Sequence, residues 1–103
     1  MNIALDYDDT YTADVALWDS FIDLAQASGH EVYIVTARKQ CGYLESSASI
    51  PKKLHDKCLV VFCNHDYKDE ICRKRGLHID IWIDDRPENV REGPRSSGGY
   101  CND

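Results

Sequence analysis

Four short stretches of this chain concentrate the side chains able to do chemistry: Asp6 and Asp8, Thr36 and Arg38, Lys68, and the pair Asp84 and Asp85. Clustered acids destabilise a fold unless a cation compensates them. A set of carboxylates accompanied by one lysine, one arginine and one hydroxyl suits phosphoryl transfer. The difficulty there is charge: a phosphate ester repels an anionic nucleophile until a cation draws both together. Mg²⁺ takes hard oxygen ligands in near-octahedral geometry. Asp6, the carbonyl or carboxyl of Asp8, and Asp84 or Asp85 could supply the protein's share. Arg38 offers a planar fork to two phosphate oxygens, Lys68 a point charge, and Thr36 one hydroxyl hydrogen bond.

These residues must be held by elements that bring them together, and the pattern supplies such elements. Ile3 to Leu5 is an apolar run ending in acids, and Glu31 to Val35 is a β-branched run ending at Thr36. Both read as buried strands. Between them Val15, Leu17, Trp18, Phe21, Ile22, Leu24 and Ala25 recur at helical spacing, with Asp14 near the start and Gly29 as a stop. A strand, helix, strand order calls for a right-handed crossover in a parallel sheet. The pattern repeats with a strand over Leu59 to Phe62, a helix from Lys68 to Arg75 stopped by Gly76, and a strand over Ile79 to Ile83. The segment from Lys39 to Lys57 reads as a loop with at most a short helix. Every chemical residue then falls at the carboxyl end of a strand or at the helix start that follows, where open parallel sheets bind ligands. The expected fold is α/β: a small Rossmann-like three-layer sandwich with a mostly parallel sheet in the order 3-2-1-4.

The totals bound the reading. A chain of 103 residues, 43% hydrophobic and 29% charged, makes one domain that buries about 65% of its unfolded surface. That domain is assigned to residues 1–92, and the Gly- and Ser-rich stretch 93–103 to a flexible tail. A net charge of −6 disfavours tracking of a long phosphate backbone, which needs a basic stripe. Five cysteines, an odd number, and a start without a signal-peptide pattern point to reduced thiols and a cytoplasmic setting. No apolar run approaches the roughly 20 residues needed to span a bilayer, so no membrane partner is expected. Cys58, Cys63, Cys72, His55 and His65 lack a close zinc-type pair and read as incidental or buried groups.

The stretch Asp6-Tyr7-Asp8-Asp9-Thr10 after an apolar strand resembles the DxDxT first motif of haloacid dehalogenase-like phosphatases. Thr36, Lys68 and Ile81-Trp82-Ile83-Asp84-Asp85 resemble their second, third and fourth motifs, in family order, over a span from about Ile3 to Pro87. The resemblance implies a Mg²⁺-dependent phosphomonoester hydrolase. In it Asp6 attacks phosphorus to form an aspartyl-phosphate, and Asp8 protonates the leaving oxygen and then activates water. Thr36 and Lys68 take the remaining catalytic positions, Arg38 binds substrate, and Asp6, Asp8, Asp84 and Asp85 form the metal set. Thr36-Ala37-Arg38 with Asp84-Asp85-Arg86 is also similar to the phosphatase domain of phage-type polynucleotide kinases. Relatives carry a cap inserted after the first motif or before the third; here both segments are too short for one, so the chain reads as capless. An open site favours a large phosphorylated substrate, such as a nucleotide or a nucleic-acid end, that covers it. The fourth strand, lacking a fifth beside it, would be exposed or paired with another subunit in an edge-strand dimer. The competing reading is a catalytically silent or phospho-signalling interaction module. A receiver domain fits poorly, because it carries its acid pair on the first strand and its acceptor on the third.

Overall fold

The computed structural model describes residues 1–39 and 50–91. The expected tail at 93–103, Cys41 and Cys101, and most of the serine-rich loop lie outside the described residues. The elements are β1 (Asn2–Leu5), a 3-10 turn (Tyr11–Ala13), α1 (Val15–Ala27), β2 (Glu31–Thr36), α2 (Lys52–Lys57), β3 (Leu59–Phe62), α3 (Lys68–Lys74), β4 (Ile81–Ile83) and a second 3-10 turn (Pro87–Asn89). The four strands form one all-parallel sheet in the order β3-β2-β1-β4. This is the expected α/β topology, and a Rossmann-like sandwich describes it.

Side-chain alternation splits the core into two layers, because successive strand residues point to opposite faces. Ile3 and Leu5 of β1, Val32 and Ile34 of β2, and Val60 of β3 pack with Ile22 and Ala25 of α1 and Leu54 of α2. Ala4, Val35 and Val61 face the other way and pack with Cys72 of α3 and with Ile79. Helices therefore cover both faces, α1 and α2 on one and α3 on the other. Trp18 and Phe21 pack at the margin of the first layer and Trp82 at that of the second, so all three serve the core and its rim.

Helix ends are set locally. Asp14 caps α1, its carboxylate accepting from the Leu17 N–H at 3.1 Å. Both longer helices close in the same way. Gly29 (φ 91°) follows α1 and Gly76 (φ 76°) follows α3, each in the left-handed region. Their N–H groups and those of the next residues return to the last turn of helix, Gly29 to Gln26 and His30 to Ala25, Gly76 to Arg73 and Leu77 to Cys72. The strand expected from Ile79 begins two residues later. Asp80 turns its carboxylate onto the Asn2 N–H at 2.8 Å, so a side chain occupies the donor that a longer ladder would use. Between Lys39 and Lys57 the described part contains the one short helix anticipated, α2. Surface ion pairs Lys53–Asp19 (3.1 Å) and Lys57–Asp23 (2.9 Å) join it to α1. Such pairs contribute little, and the apolar contact of Leu54 holds it instead.

Leu54→Ala is expected to lower stability by about 2–5 kcal/mol, since Leu54 is fully buried. Leu24→Ala, at a position 69% exposed, should stay within about 0.5 kcal/mol. Urea unfolding midpoints decide it, and equal effects would mean that α2 does not seal the core.

Candidate functional site

Each strand of the sheet ends beside the next, so residues distant in sequence meet along one edge. Asp6 follows β1 directly, and its N–H continues the ladder to Ile83 O of β4 at 2.9 Å. Asp84 and Asp85 follow β4, Thr36 ends β2, and Lys68 opens α3. After Asp6 the chain loops out through Asp9, which adopts φ 64°, and returns so that Tyr11 and Thr12 donate their N–H groups to the carbonyls of Asp6 and Tyr7. Asp9 thus serves as a turn residue, as expected of an acid at such a position.

Lys68 lies at the centre and is 1% exposed. Its ammonium donates to Asp6 Oδ1 at 2.6 Å and to Asp84 Oδ2 at 2.5 Å. Burial by itself pulls the lysine pKa down, but the hydrogen bonds and charges of Asp6 and Asp84 outweigh it, and the net direction is upward. Asp6 experiences the opposite balance. Burial pushes its carboxyl up, Lys68 draws it down, and the Asp84 charge and the Asp85 hydrogen bond push it up again, leaving it at about 6. Asp85, solvent-exposed, is held below the ordinary carboxylate range, first by its hydrogen bond with Asp6. The two shifts run in opposite directions, Asp6 upward and Asp85 downward.

Thr10 ties this cluster to the loop. Its hydroxyl faces Asp6 Oδ2 (3.1 Å) and Asp85 Oδ1 (3.2 Å), and its oxygen accepts from the Asp85 N–H (3.3 Å). Sequence reasoning quoted Thr10 within a motif without giving it this role; only its place four residues after Asp6, on the returning arm of a tight loop, hinted at it.

Asp8 and Arg38 form a second group. The guanidinium meets Asp8 with two hydrogen bonds, Nε to Oδ2 at 2.9 Å and Nη2 to Oδ1 at 2.7 Å, and lies 5.1 Å from the centre of the Tyr7 ring. The Arg38 N–H donates to Thr36 Oγ1 at 3.2 Å, so the fully buried threonine hydroxyl is left to donate elsewhere.

Among the described residues, Asp6, Asp84 and Asp85 are the acids that could hold one ion, with candidate oxygens all within 4.8 Å of one another. The donor set is entirely carboxylate, which fits a hard divalent cation such as Mg²⁺. An acid whose pKa is raised to about 6, chiefly by burial, is also a place where a cation would compete with a proton. The Asp8 carboxylate, expected as a possible fourth ligand, is turned to Arg38 instead. Cys58, Cys63 and Cys72 are unpaired and buried, and burial pushes their thiols up to about 11, 12 and 11. They are structural rather than metal-binding groups.

Comparison with known proteins finds no matching family model, no matching curated protein and no matching solved structure. Among the described residues no helix is long and apolar enough to cross a membrane.

Two outcomes follow from the charge balance. Because the folded-state value of Asp6 lies above its ordinary one, the protonated form favours the fold, and that contribution is lost as pH rises through about 6. Millimolar Mg²⁺ should therefore raise the melting temperature more at about pH 7.5 than at about pH 5. An equal rise at both would exclude Asp6 as a ligand. Lys68→Met should destabilise by about 3–5 kcal/mol at neutral pH, since it leaves Asp6 and Asp84 without their cation. The loss should shrink below about pH 6, where Asp6 takes a proton.

Proposed function

We propose that this chain is a Mg²⁺-dependent phosphomonoester hydrolase that works through an aspartyl-phosphate at Asp6, in the manner of the haloacid dehalogenase-like phosphatases its motifs resemble. The observation that carries the reading is the convergence of Asp6, Asp84 and Asp85 on one candidate cation position beside the buried ammonium of Lys68. Three carboxylates against one ammonium leave an excess of negative charge, and a divalent ion answers it.

Asp6, Asp84 and Asp85 would hold the cation, with Asp8 contributing through its carbonyl. Bound there, Mg²⁺ supplies neutralisation of the phosphoryl oxygens and of the attacking carboxylate. An oxygen of Asp6 attacks phosphorus, the bond from phosphorus to the leaving oxygen breaks, and Asp8 gives that oxygen its proton. Water then attacks the acyl phosphate, Asp8 takes the proton back, and inorganic phosphate leaves with Asp6 restored. Lys68 fixes the orientation of Asp6 and stabilises charge on the transferring group. Thr36 donates its hydroxyl to a phosphoryl oxygen. Arg38 has two uses for one fork: it exchanges the oxygens of Asp8 for those of the arriving phosphate, which releases Asp8 for proton transfer. The open face suits a nucleotide, a nucleic-acid end or another large phosphorylated substrate.

Hydrolysis of an aryl phosphate should require Mg²⁺ and stop with excess chelator. Asp6→Asn should abolish it, and Asp8→Asn should slow it while leaving Mg²⁺ stabilisation in place. Arg38→Lys should lower kcat/KM roughly 10- to 100-fold, the size of a lost charge-assisted hydrogen bond. Turnover by Asp6→Asn at the normal rate would exclude the covalent route and leave the silent-module reading.

A further inference from the structure

A cavity of about 350 Å³ is lined by Ala37, His65, Asp66, Tyr67 and Asn89. All five come from the loops that carry the candidate site: Ala37 lies between Thr36 and Arg38, His65 to Tyr67 immediately precede Lys68, and Asn89 closes the turn that follows Asp84 and Asp85. The cavity therefore lies on the same strand-end edge of the sheet as Thr36, Arg38 and Lys68. From this placement we infer that the cavity seats the base of a nucleoside monophosphate whose phosphate is the scissile group, an inference that rests on the phosphatase reading above.

The volume lies within the range of small-molecule sites, about 300–1,000 Å³. The lining combines a planar aromatic surface with hydrogen-bonding groups at its edge. Tyr67 is 40% exposed and offers its ring at the cavity, and the Arg91 guanidinium lies 4.2 Å from the ring centre and braces it. The Asn89 amide both donates and accepts, as base edges require. Asp66 accepts from exocyclic amines, and its negative charge disfavours a second phosphate, which favours a neutral base over a sugar-phosphate chain. The loop is also held in a costly conformation. Asn64 (φ 53°) and His65 (φ 64°) are successive left-handed residues without being glycine. Their N–H groups are pinned to the carbonyls of Arg38 (3.2 Å) and Ala37 (2.8 Å), which fixes the backbone of His65 at the cavity wall.

The test compares adenosine and cytidine monophosphates with ribose phosphate, which shares the scissile bond and lacks the base. Wild-type kcat/KM should be at least roughly 10-fold higher for the nucleotides, the size of one stacked base. His65→Gly suits the left-handed backbone and removes only the imidazole; with Asn89→Ala it should bring the nucleotide-to-ribose phosphate ratio toward one. Equal efficiency in the wild type, or variants that leave the ratio where it was, would overturn the inference while the phosphatase reading stands. Titration of unphosphorylated adenosine, followed by backbone amide NMR shifts, separates the alternatives. Shifts at His65 to Tyr67 and Asn89 with no turnover of any phosphate would keep the base site and remove the hydrolase. Absence of those shifts at millimolar adenosine would count against the site.

Discussion

The buried ammonium of Lys68, held between Asp6 and Asp84, is the contact on which the rest of the arrangement depends. It comes from α3, on one face of the sheet, and it meets the ends of two neighbouring strands, β1 and β4. Taking a lysine to 1% exposure is unfavourable unless carboxylates answer it with good geometry, and here two do. The same contact orients Asp6, leaving its second oxygen toward Thr10 and Asp85. Position and charge are therefore set by one group.

The loop after β1 distributes three polar side chains in three directions from five residues. Asp6 points to Lys68, Asp8 to Arg38, and Thr10 back to Asp6 and Asp85. The left-handed residue Asp9 and the backbone bonds from Tyr11 and Thr12 make that spread possible, because a regular strand would alternate and a helix would place residues four apart on one face. The result is two separate electrostatic units on one edge of the sheet. One is crowded with acid and could hold a cation; the other is an arginine–aspartate pair whose guanidinium lies over the Tyr7 ring.

The framework that supports this is small. Strands of three to six residues and one apolar layer on each face carry it. The helix α3 is closed by a left-handed glycine just past its end, and its first residue is the buried lysine. The edge strand β4 is the shortest, and its outer residue Ile81 stays 39% exposed. Asp84 and Asp85 lie just beyond this short strand, which β1 registers with Leu5 opposite Ile83 and hence Asp6 beside Asp84.

Much of this was legible in the amino-acid order. Apolar runs that end in polar residues mark the strands, helical spacing marks α1, Gly29 and Gly76 mark two helix ends, and strand-helix alternation implies the parallel order of the sheet. These are local signals, or follow from rules of connection, so they survive without coordinates. The placement of Asp6, Thr36, Lys68, Asp84 and Asp85 on one edge is a consequence of that topology. Other features belong to distances across the fold. That Asp8 pairs with Arg38, that Asp84 and not Asp85 takes the lysine, that Thr10 joins both ends of the cluster, and that Asp80 shortens β4 all depend on which side chains the strand register brings within about 3 Å. No periodicity encodes those pairings, because charge and hydrogen bonding act through space between residues 16 to 78 positions apart. The raised pKa of Asp6 has the same origin: it comes from burial and from Asp84 and Asp85 at the end of β4, against the opposing pull of Lys68 from α3, so only the folded chain determines it.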